Sequence, residues 1–210
     1  MVLLWDHDGV LVETEGLYLR ATREVLASVG VALDEELYRQ LFLIQNVGAW
    51  HLVQGKSDDE LAALKRRRGE RYTELLRAGD TYIPGALAMI AELASRHRMA
   101  IVTSSRRAHF DAIHEGRALP GHFELILARE DYQESKPDPE PYLTAMARMN
   151  VSPAQCLVIE DSERGLRAAH AAGVRCWVIP SPLTRDSDFS RAERSFASLP
   201  ALHAALRELS

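Results

Sequence analysis

VLLWDHDGV, residues 2–10, joins an apolar run to two closely spaced acids. The run is long enough for a buried strand, and Asp6 and Asp8 follow it directly. Side chains on extended backbone repeat every second residue, so the two carboxylates point the same way. Two like charges in one buried place are costly unless a cation or a reaction uses them. Gly9 then lets the backbone turn away. The pattern favours a divalent-cation site with a nucleophile, and an Asx-rich turn after an edge strand is the alternative.

The composition is that of a globular protein. A chain of 210 residues, 47% of them hydrophobic, can form one core domain plus a smaller insert. The formal net charge of -5 argues against nucleic acid as a partner. Cys156 and Cys176 have no metal-ligand spacing, and we expect reduced core residues in a cytoplasmic protein. No stretch is long enough to span a membrane, so no membrane partner is expected.

Strand and helix patterns alternate through most of the chain. Apolar runs predict strands at residues 2–5, 99–102, 124–127, 156–159, 174–179 and 194–197. This alternation is typical of an α/β fold with a Rossmann-like parallel sheet. The helical stretch of about 65 residues between the first two strands is too long for a normal crossover. We therefore predict an inserted α-helical cap subdomain at 15–80, with the catalytic core formed by 1–14 and 81–210.

Polar side chains follow several of the predicted strands, where ligands bind in open parallel sheets. These ends and the loop after the third strand carry Asp6, Asp8, Thr103, Ser104, Lys136, Glu160 and Asp161. Phosphoryl transfer needs a hard cation held by oxygens, a nucleophile and positive charge near the phosphoryl oxygens. The acids can supply the cation site, while Thr103 and Lys136 can donate to a phosphoryl group. The alternative for Lys136 is a solvated loop lysine.

The order of these motifs resembles the haloacid dehalogenase superfamily of phosphohydrolases. More narrowly, it resembles the β-phosphoglucomutase-like group, whose helical C1 cap is inserted after the first strand. The opening signature of the family matches residues 6–14, DHDGVLVET, with Glu13 in place of the commoner Asp. The later signatures fall on Thr103 in IVTSS, Lys136 in SKPDPEPY and Glu160-Asp161 in IEDSERGLRAAHAAG. The resemblance covers essentially the whole chain.

The resemblance implies a role for each of these residues. Asp6 would be the nucleophile that forms an aspartyl-phosphate. Asp8 would be the general acid toward the leaving oxygen and then the base for water. The phosphoryl group would be held by Gly9, Thr103, Ser104 and Lys136. The implied cofactor, Mg²⁺, would be held by Asp6, Asp8 and Asp161, and by Glu160 either directly or indirectly.

Two residues of the opening motif bear further on function. His7 stands where the family usually has an apolar residue. By strand alternation its side chain should point away from the carboxylates, so we expect it to pack in the core. The acid at Asp8 favours phosphate esters over carbon–halogen bonds, because a departing halide needs no proton.

The expected function is hydrolysis of a small phosphorylated metabolite, such as a sugar phosphate, by a monomer or weak dimer. A β-phosphoglucomutase-type mutase is the alternative within enzymes, and a catalytically silent binding module is the alternative of another class. In the mutase branch, a cap arginine after a glycine grips a second phosphate. Our placement of that loop, residues 46–51, contains no Arg or Lys, which favours a phosphatase. A rival placement at 55–57 would restore a cation through Lys56.

Overall fold

The computed structural model of the protein describes residues 1–45 and 47–209. Asn46, at the start of the loop proposed for the second phosphate, lies outside the described residues. The chain divides into two units. The first comprises Met1–Glu13 with Thr81–Ser210, and the second is Thr14–Asp80.

The main elements alternate along the first unit as the sequence indicates. The strands are β1 (Val2–Trp5), β2 (Arg98–Val102), β3 (Leu125–Leu127), β4 (Cys156–Glu160), β5 (Arg175–Val178) and β6 (Arg194–Ser195). The α-helices of the described residues are α1 (Glu15–Ala27), α2 (Glu35–Tyr38), α3 (Asp58–Ala78), α4 (Ala86–Leu93), α5 (Arg107–His114), α6 (Glu140–Met149), α7 (Glu163–Ala171) and α8 (Leu199–Arg207). No helix within residues 1–45 and 47–209 is both long and apolar enough to cross a membrane.

The strands form one parallel sheet in the order β3-β2-β1-β4-β5-β6. Strand β1 is central, and its Leu4 pairs with Ala100 on one side and Val158 on the other. The order reverses direction at β1, so the carboxyl ends of β1, β2 and β4 meet where such sheets bind ligands. The predicted Rossmann-like parallel fold is confirmed, with each strand end within two residues of its predicted position.

Both faces of the sheet are buried, which explains the uninterrupted apolar run at the start of the chain. Leu3 and Trp5 point into a core that includes residues of α4, α5 and α8. Val2 and Leu4 point into the opposite core, which includes residues of α6 and α7. Because successive side chains alternate between two buried faces, every residue of β1 must be apolar. Asp6, the first residue after β1, can be polar.

The second unit is helical and has its own core. Ser57 is the N-cap of α3, and the Ser57 and Glu60 side chains cap each other's backbone N–H groups. After α2 the chain forms a π-helix over Arg39–Ile44. A π-helix holds more residues per turn than an α-helix, so the helical spacing read from the sequence fails there. An α-helical spacing from Leu37 and Leu41 would place Ile44 on the apolar face, but Ile44 is 53% exposed.

Candidate active site

Three strand ends and one loop bring predicted site residues together. Asp6 directly follows β1, Thr103 follows β2, and Glu160 is the last residue of β4. The N–H of Asp6 donates to Ile159 O at 2.8 Å, which extends the alignment of β1 with β4 by one residue. Lys136 reaches the same edge from the segment that precedes α6.

The Lys136 ammonium is the centre of the cluster. Its Nζ donates to Asp6 Oδ1 at 2.6 Å, Glu160 Oε1 at 2.7 Å and Val102 O at 2.8 Å. An ammonium group has three N–H donors, so this set uses all of them. The lysine is only 2% exposed. The alternative of a solvated loop lysine is therefore wrong.

The charges of this cluster shift one another's ionisation. Burial alone would lower the pKa of Lys136, but the carboxylates of Asp6 and Glu160 raise it overall, so the ammonium stays protonated. Burial, followed by repulsion from Glu160, raises the pKa of Asp6 to about 7. Burial opposes ionisation of Glu160 too, yet the charge and hydrogen bond of Lys136 hold its pKa below the usual value. One ammonium thus faces two carboxylates, which leaves an excess of negative charge.

The carboxylates can hold a metal ion. One oxygen each from Asp6, Glu160 and Asp161 lie within 4.8 Å of one another, and all three residues are buried. Oxygen ligands of this kind suit Mg²⁺. The excess negative charge and the raised pKa of Asp6 are what a bound cation would relieve. The residues present therefore fit the implied cofactor.

Two glycines make room for these carboxylates. A Cβ on Gly9 would lie 2.2 Å from Asp161 Oδ2, and one on Gly165 would lie 1.9 Å from Glu160 Oε1. Both distances are far below van der Waals contact. Gly9 also has φ of +84°, which favours glycine on conformational grounds. Both positions therefore require glycine, because a carboxylate occupies the space that a side chain would fill.

Glu160 is fixed from several sides by residues that sequence reasoning missed. Tyr142 OH donates to its Oε1 at 2.7 Å, and Ser162 Oγ donates to its Oε2 at 3.0 Å. Tyr142 lies on α6, and Ser162 caps the start of α7. The only signal for Ser162 was its place in the sequence IEDS, directly after the acids. Together with Lys136, these donors hold the Glu160 carboxylate in one orientation.

Asp8 lies against the end of β2. Its Oδ2 accepts from Thr103 Oγ1 at 3.1 Å and from Ser105 Oγ at 2.9 Å. The Thr103 hydroxyl also accepts the Ser105 N–H at 3.0 Å. The neighbouring Ser104 Oγ is buried and has no hydrogen-bond partner within residues 1–45 and 47–209. Ser105 is therefore a site residue that sequence reasoning missed.

His7 corrects one expectation. It is fully buried and packs against Phe110, with ring centroids 4.9 Å apart, as a core residue should. However, its Nδ1 lies 3.2 Å from Asp8 Oδ2, so the side chain does not point away from both carboxylates. Strand β1 ends at Trp5, before residue 7, and a turn follows at residues 9–11, so strand alternation does not govern residue 7.

Gly165→Ala tests the close approach of the helix to Glu160. The new methyl group must displace a carboxylate that five hydrogen bonds hold, one of them the ion pair with Lys136, and we expect a loss of about 1–3 kcal/mol in unfolding free energy. Urea unfolding measures this loss. The matched control is Gly69→Ala in the interior of α3, where a Cβ meets nothing within 4 Å. That variant should gain about 0.5–1 kcal/mol. A similar gain at Gly165 would contradict the packing described.

Comparison with known proteins gives matches along most of the chain. The family model described as "Haloacid dehalogenase-like hydrolase" matches residues 3–179. Protein CbbY of Rhodobacter capsulatus is 36% identical over 214 residues, covering 95% of this chain and 93% of its own length. Fructose-1-phosphate phosphatase YqaB of Escherichia coli (strain K12) is 29% identical over 177 residues, covering 82% of this chain and 92% of its own.

A solved structure matches over nearly the same extent. The crystal structure of a mutant of CbbY from Rhodobacter sphaeroides, in complex with xylulose-(1,5)bisphosphate, superposes with a TM-score of 0.82 at 31% sequence identity. The match covers 94% of this chain and 93% of that one. Sequence and fold therefore agree on the same group of proteins.

Proposed function

The chain belongs to the haloacid dehalogenase-like hydrolase family, as one of its phosphatases, and from this we propose that it hydrolyses small phosphorylated sugars with Mg²⁺ and an aspartyl-phosphate intermediate. One observation carries the proposal. The Lys136 ammonium holds Asp6 and Glu160 at 2.6 and 2.7 Å, next to the strand end that carries Asp8. A buried carboxylate with a charged partner and a neighbouring acid is suited to covalent phosphoryl transfer.

Asp6 is the proposed nucleophile. Lys136 fixes one of its oxygens, so the orientation of the carboxylate is set before substrate arrives. A pKa raised to about 7 means that added positive charge is needed to keep Asp6 fully ionised near neutral pH. Asp6, Asp161 and the backbone carbonyl of Asp8 would hold Mg²⁺, with Glu160 a direct or an indirect ligand, and the cation would supply that charge and offset the charge of the phosphoryl oxygens. The phosphoryl group itself is held by Gly9, Thr103, Ser104 and Lys136 in this proposal.

Asp8 is the proposed acid and base. In the first step an Asp6 oxygen bonds to phosphorus, the bond from phosphorus to the sugar oxygen breaks, and Asp8 gives its proton to that oxygen. In the second step Asp8 takes a proton from a water molecule, which attacks phosphorus and releases inorganic phosphate and Asp6. Thr103 and Ser105 hold the Asp8 carboxylate through both steps.

The similar proteins support a sugar phosphate as the substrate class. YqaB is named for fructose 1-phosphate, and the CbbY structure holds a xylulose bisphosphate. The mutase alternative predicts a different product, an isomerised sugar phosphate. The sequence of residues 46–51 lacks Arg and Lys, which supports a phosphatase over a mutase.

Release of inorganic phosphate across a panel of phosphomonoesters tests this function. The panel holds ketose and aldose 1-phosphates, sugar bisphosphates, phosphoglycolate, glycerol phosphate and nucleotides. We expect turnover of sugar phosphates that EDTA abolishes and added Mg²⁺ restores. Isomerised product without phosphate release, from β-glucose 1-phosphate with a bisphosphate primer, would favour the mutase. Absence of both reactions would favour a binding module and overturn the proposal.

A further inference from the structure

Four side chains of the first unit form a hydrogen-bonded chain that ends on Asp8. His7 Nδ1 lies 3.2 Å from Asp8 Oδ2, and His7 Nε2 lies 2.9 Å from His114 Nε2. His114 Nδ1 in turn lies 2.6 Å from the hydroxyl of Tyr82. His114 is the last residue of α5, and Tyr82 precedes α4. These hydrogen bonds therefore link the end of β1 to two other parts of the unit.

The direction of each hydrogen bond follows from its neighbours. Asp8 Oδ2 already accepts from Thr103 and Ser105, so the nitrogen of His7 that faces it must donate. A neutral His7 that donates through Nδ1 accepts through Nε2, so His114 must donate through its Nε2. His114 then accepts at Nδ1, and Tyr82 donates. Each of these three hydrogen bonds is therefore donated in the direction of Asp8.

The surroundings exclude water from both imidazoles. His7 is 0% and His114 is 6% exposed, and the ring of Phe110 lies 4.9 Å from the first and 4.3 Å from the second. Burial, followed by repulsion from His7, lowers the pKa of His114 to about 3. The guanidinium of Arg117 lies over the Tyr82 ring at 4.7 Å and covers the outer end of the chain.

We propose that His7, with its tautomer fixed by His114 and Tyr82, is a positioning residue that holds the Asp8 carboxylate toward the leaving oxygen of the substrate. The inference rests on the proposed function, in which Asp8 is the general acid. Thr103 and Ser105 also donate to Asp8, but their hydroxyl hydrogens can rotate to other acceptors. The N–H of His7 cannot, because the ring is packed and its other nitrogen is engaged. Burying two polar rings is costly, which indicates a use for them.

The test exploits the difference between a general acid and a structural residue. A sugar oxygen needs a proton to leave, whereas p-nitrophenolate does not. We expect His7→Leu to lower kcat/KM for a sugar phosphate about 10–100-fold and for p-nitrophenyl phosphate less than about threefold. The ratio kcat/KM reports the step up to transfer onto Asp6, so the later attack of water does not enter.

Conservative variants separate the donor from the bulk of the side chain. His7→Asn places an amide N–H near the position of Nδ1 and should recover much of the lost activity toward the sugar phosphate. Tyr82→Phe removes only one oxygen and should give a smaller loss with the same substrate dependence. It also keeps the test valid if His7→Leu does not fold. Exposed His170→Gln is the matched control.

Nitrogen NMR of the imidazoles gives a readout independent of activity. We expect His7 protonated at Nδ1 and His114 protonated at Nε2 at neutral pH. His7 protonated at Nε2 alone would overturn the inference, and so would equal losses on both substrates. Inactivity of the unmodified protein toward both substrates would instead overturn the proposed function, and the positioning role with it.

Discussion

Asp6→Asn is expected to lower the rate of phosphate release by about 10⁴-fold or more, because an amide has no anionic oxygen to attack phosphorus. The change is nearly isosteric, so Lys136 keeps Glu160 and Val102 O as acceptors. The measurement is kcat on the sugar phosphate that the unmodified protein hydrolyses fastest. Asp111→Asn, an exposed position on α5, is the matched control and should keep full activity.

The pH dependence of the unfolding free energy of Asp6→Asn distinguishes loss of the chemical step from loss of the fold. Burial raises the pKa of Asp6 from 3.8 to about 7, so between these values the folded protein binds more protons than the unfolded chain. In EDTA, this one group should therefore lower stability as pH rises from about 4 to about 7, by at most about 1.4 kcal/mol per pH unit. Asp6→Asn should lack that contribution. An inactive variant that is no less stable at pH 8 identifies a chemical role, and full activity would remove Asp6 as the nucleophile.

Lys136→Met is expected to be the most destabilising of these substitutions. It leaves the buried carboxylates of Asp6 and Glu160 close together without their shared ammonium. Breaking a buried ion pair by removing one partner costs about 3–5 kcal/mol. Urea unfolding at pH 7.5 in EDTA measures the loss in unfolding free energy, and activity should be lost as well.

Two measurements check that the lost ion pair causes the lower unfolding free energy of Lys136→Met. Without the ammonium the pKa values of Asp6 and Glu160 rise, so acid protonates these carboxylates and the gap in unfolding free energy between Lys136→Met and the unmodified protein should narrow as pH falls below about 7. The matched control is Lys65→Met on α3, where the lysine is exposed, and it should stay within about 0.5 kcal/mol. A loss as small as this for Lys136→Met would contradict the ion-pair geometry.

The sheet and the place of the site could be predicted because they depend on local patterns. Each residue of β1 is buried on one face or the other, and that produces an unbroken apolar run that ends where the acids begin. Parallel pairing then brings Thr103 and Glu160 to the same edge as Asp6. Helix α6 also follows a local pattern, because its buried residues Tyr142, Ala145, Met146 and Met149 recur at helical spacing.

The partners of the acids could not be predicted, because they depend on tertiary packing. The position of Tyr142 on α6 is clear from the sequence, but which strand end its hydroxyl reaches depends on how α6 packs on the sheet. The same holds for His114, which lies 107 residues from His7 in the chain. His7 lies in the core as predicted, but its ring does not point away from Asp8, because the period of a strand was carried past the end of β1. The shift at Ile44 has a similar cause, since a π-helix breaks the spacing of an α-helix.

Chemical trapping of the phosphorylated enzyme tests whether Asp6 is the nucleophile. The protein is mixed with substrate and Mg²⁺, quenched in acid during turnover and treated with borohydride. This reagent reduces an acyl phosphate to an alcohol and leaves free carboxylates intact. We predict homoserine at position 6 by peptide mass spectrometry, and none in samples quenched without substrate. Rapid phosphate release with Asp6 unmodified at every quench time would rule out an aspartyl-phosphate intermediate at Asp6.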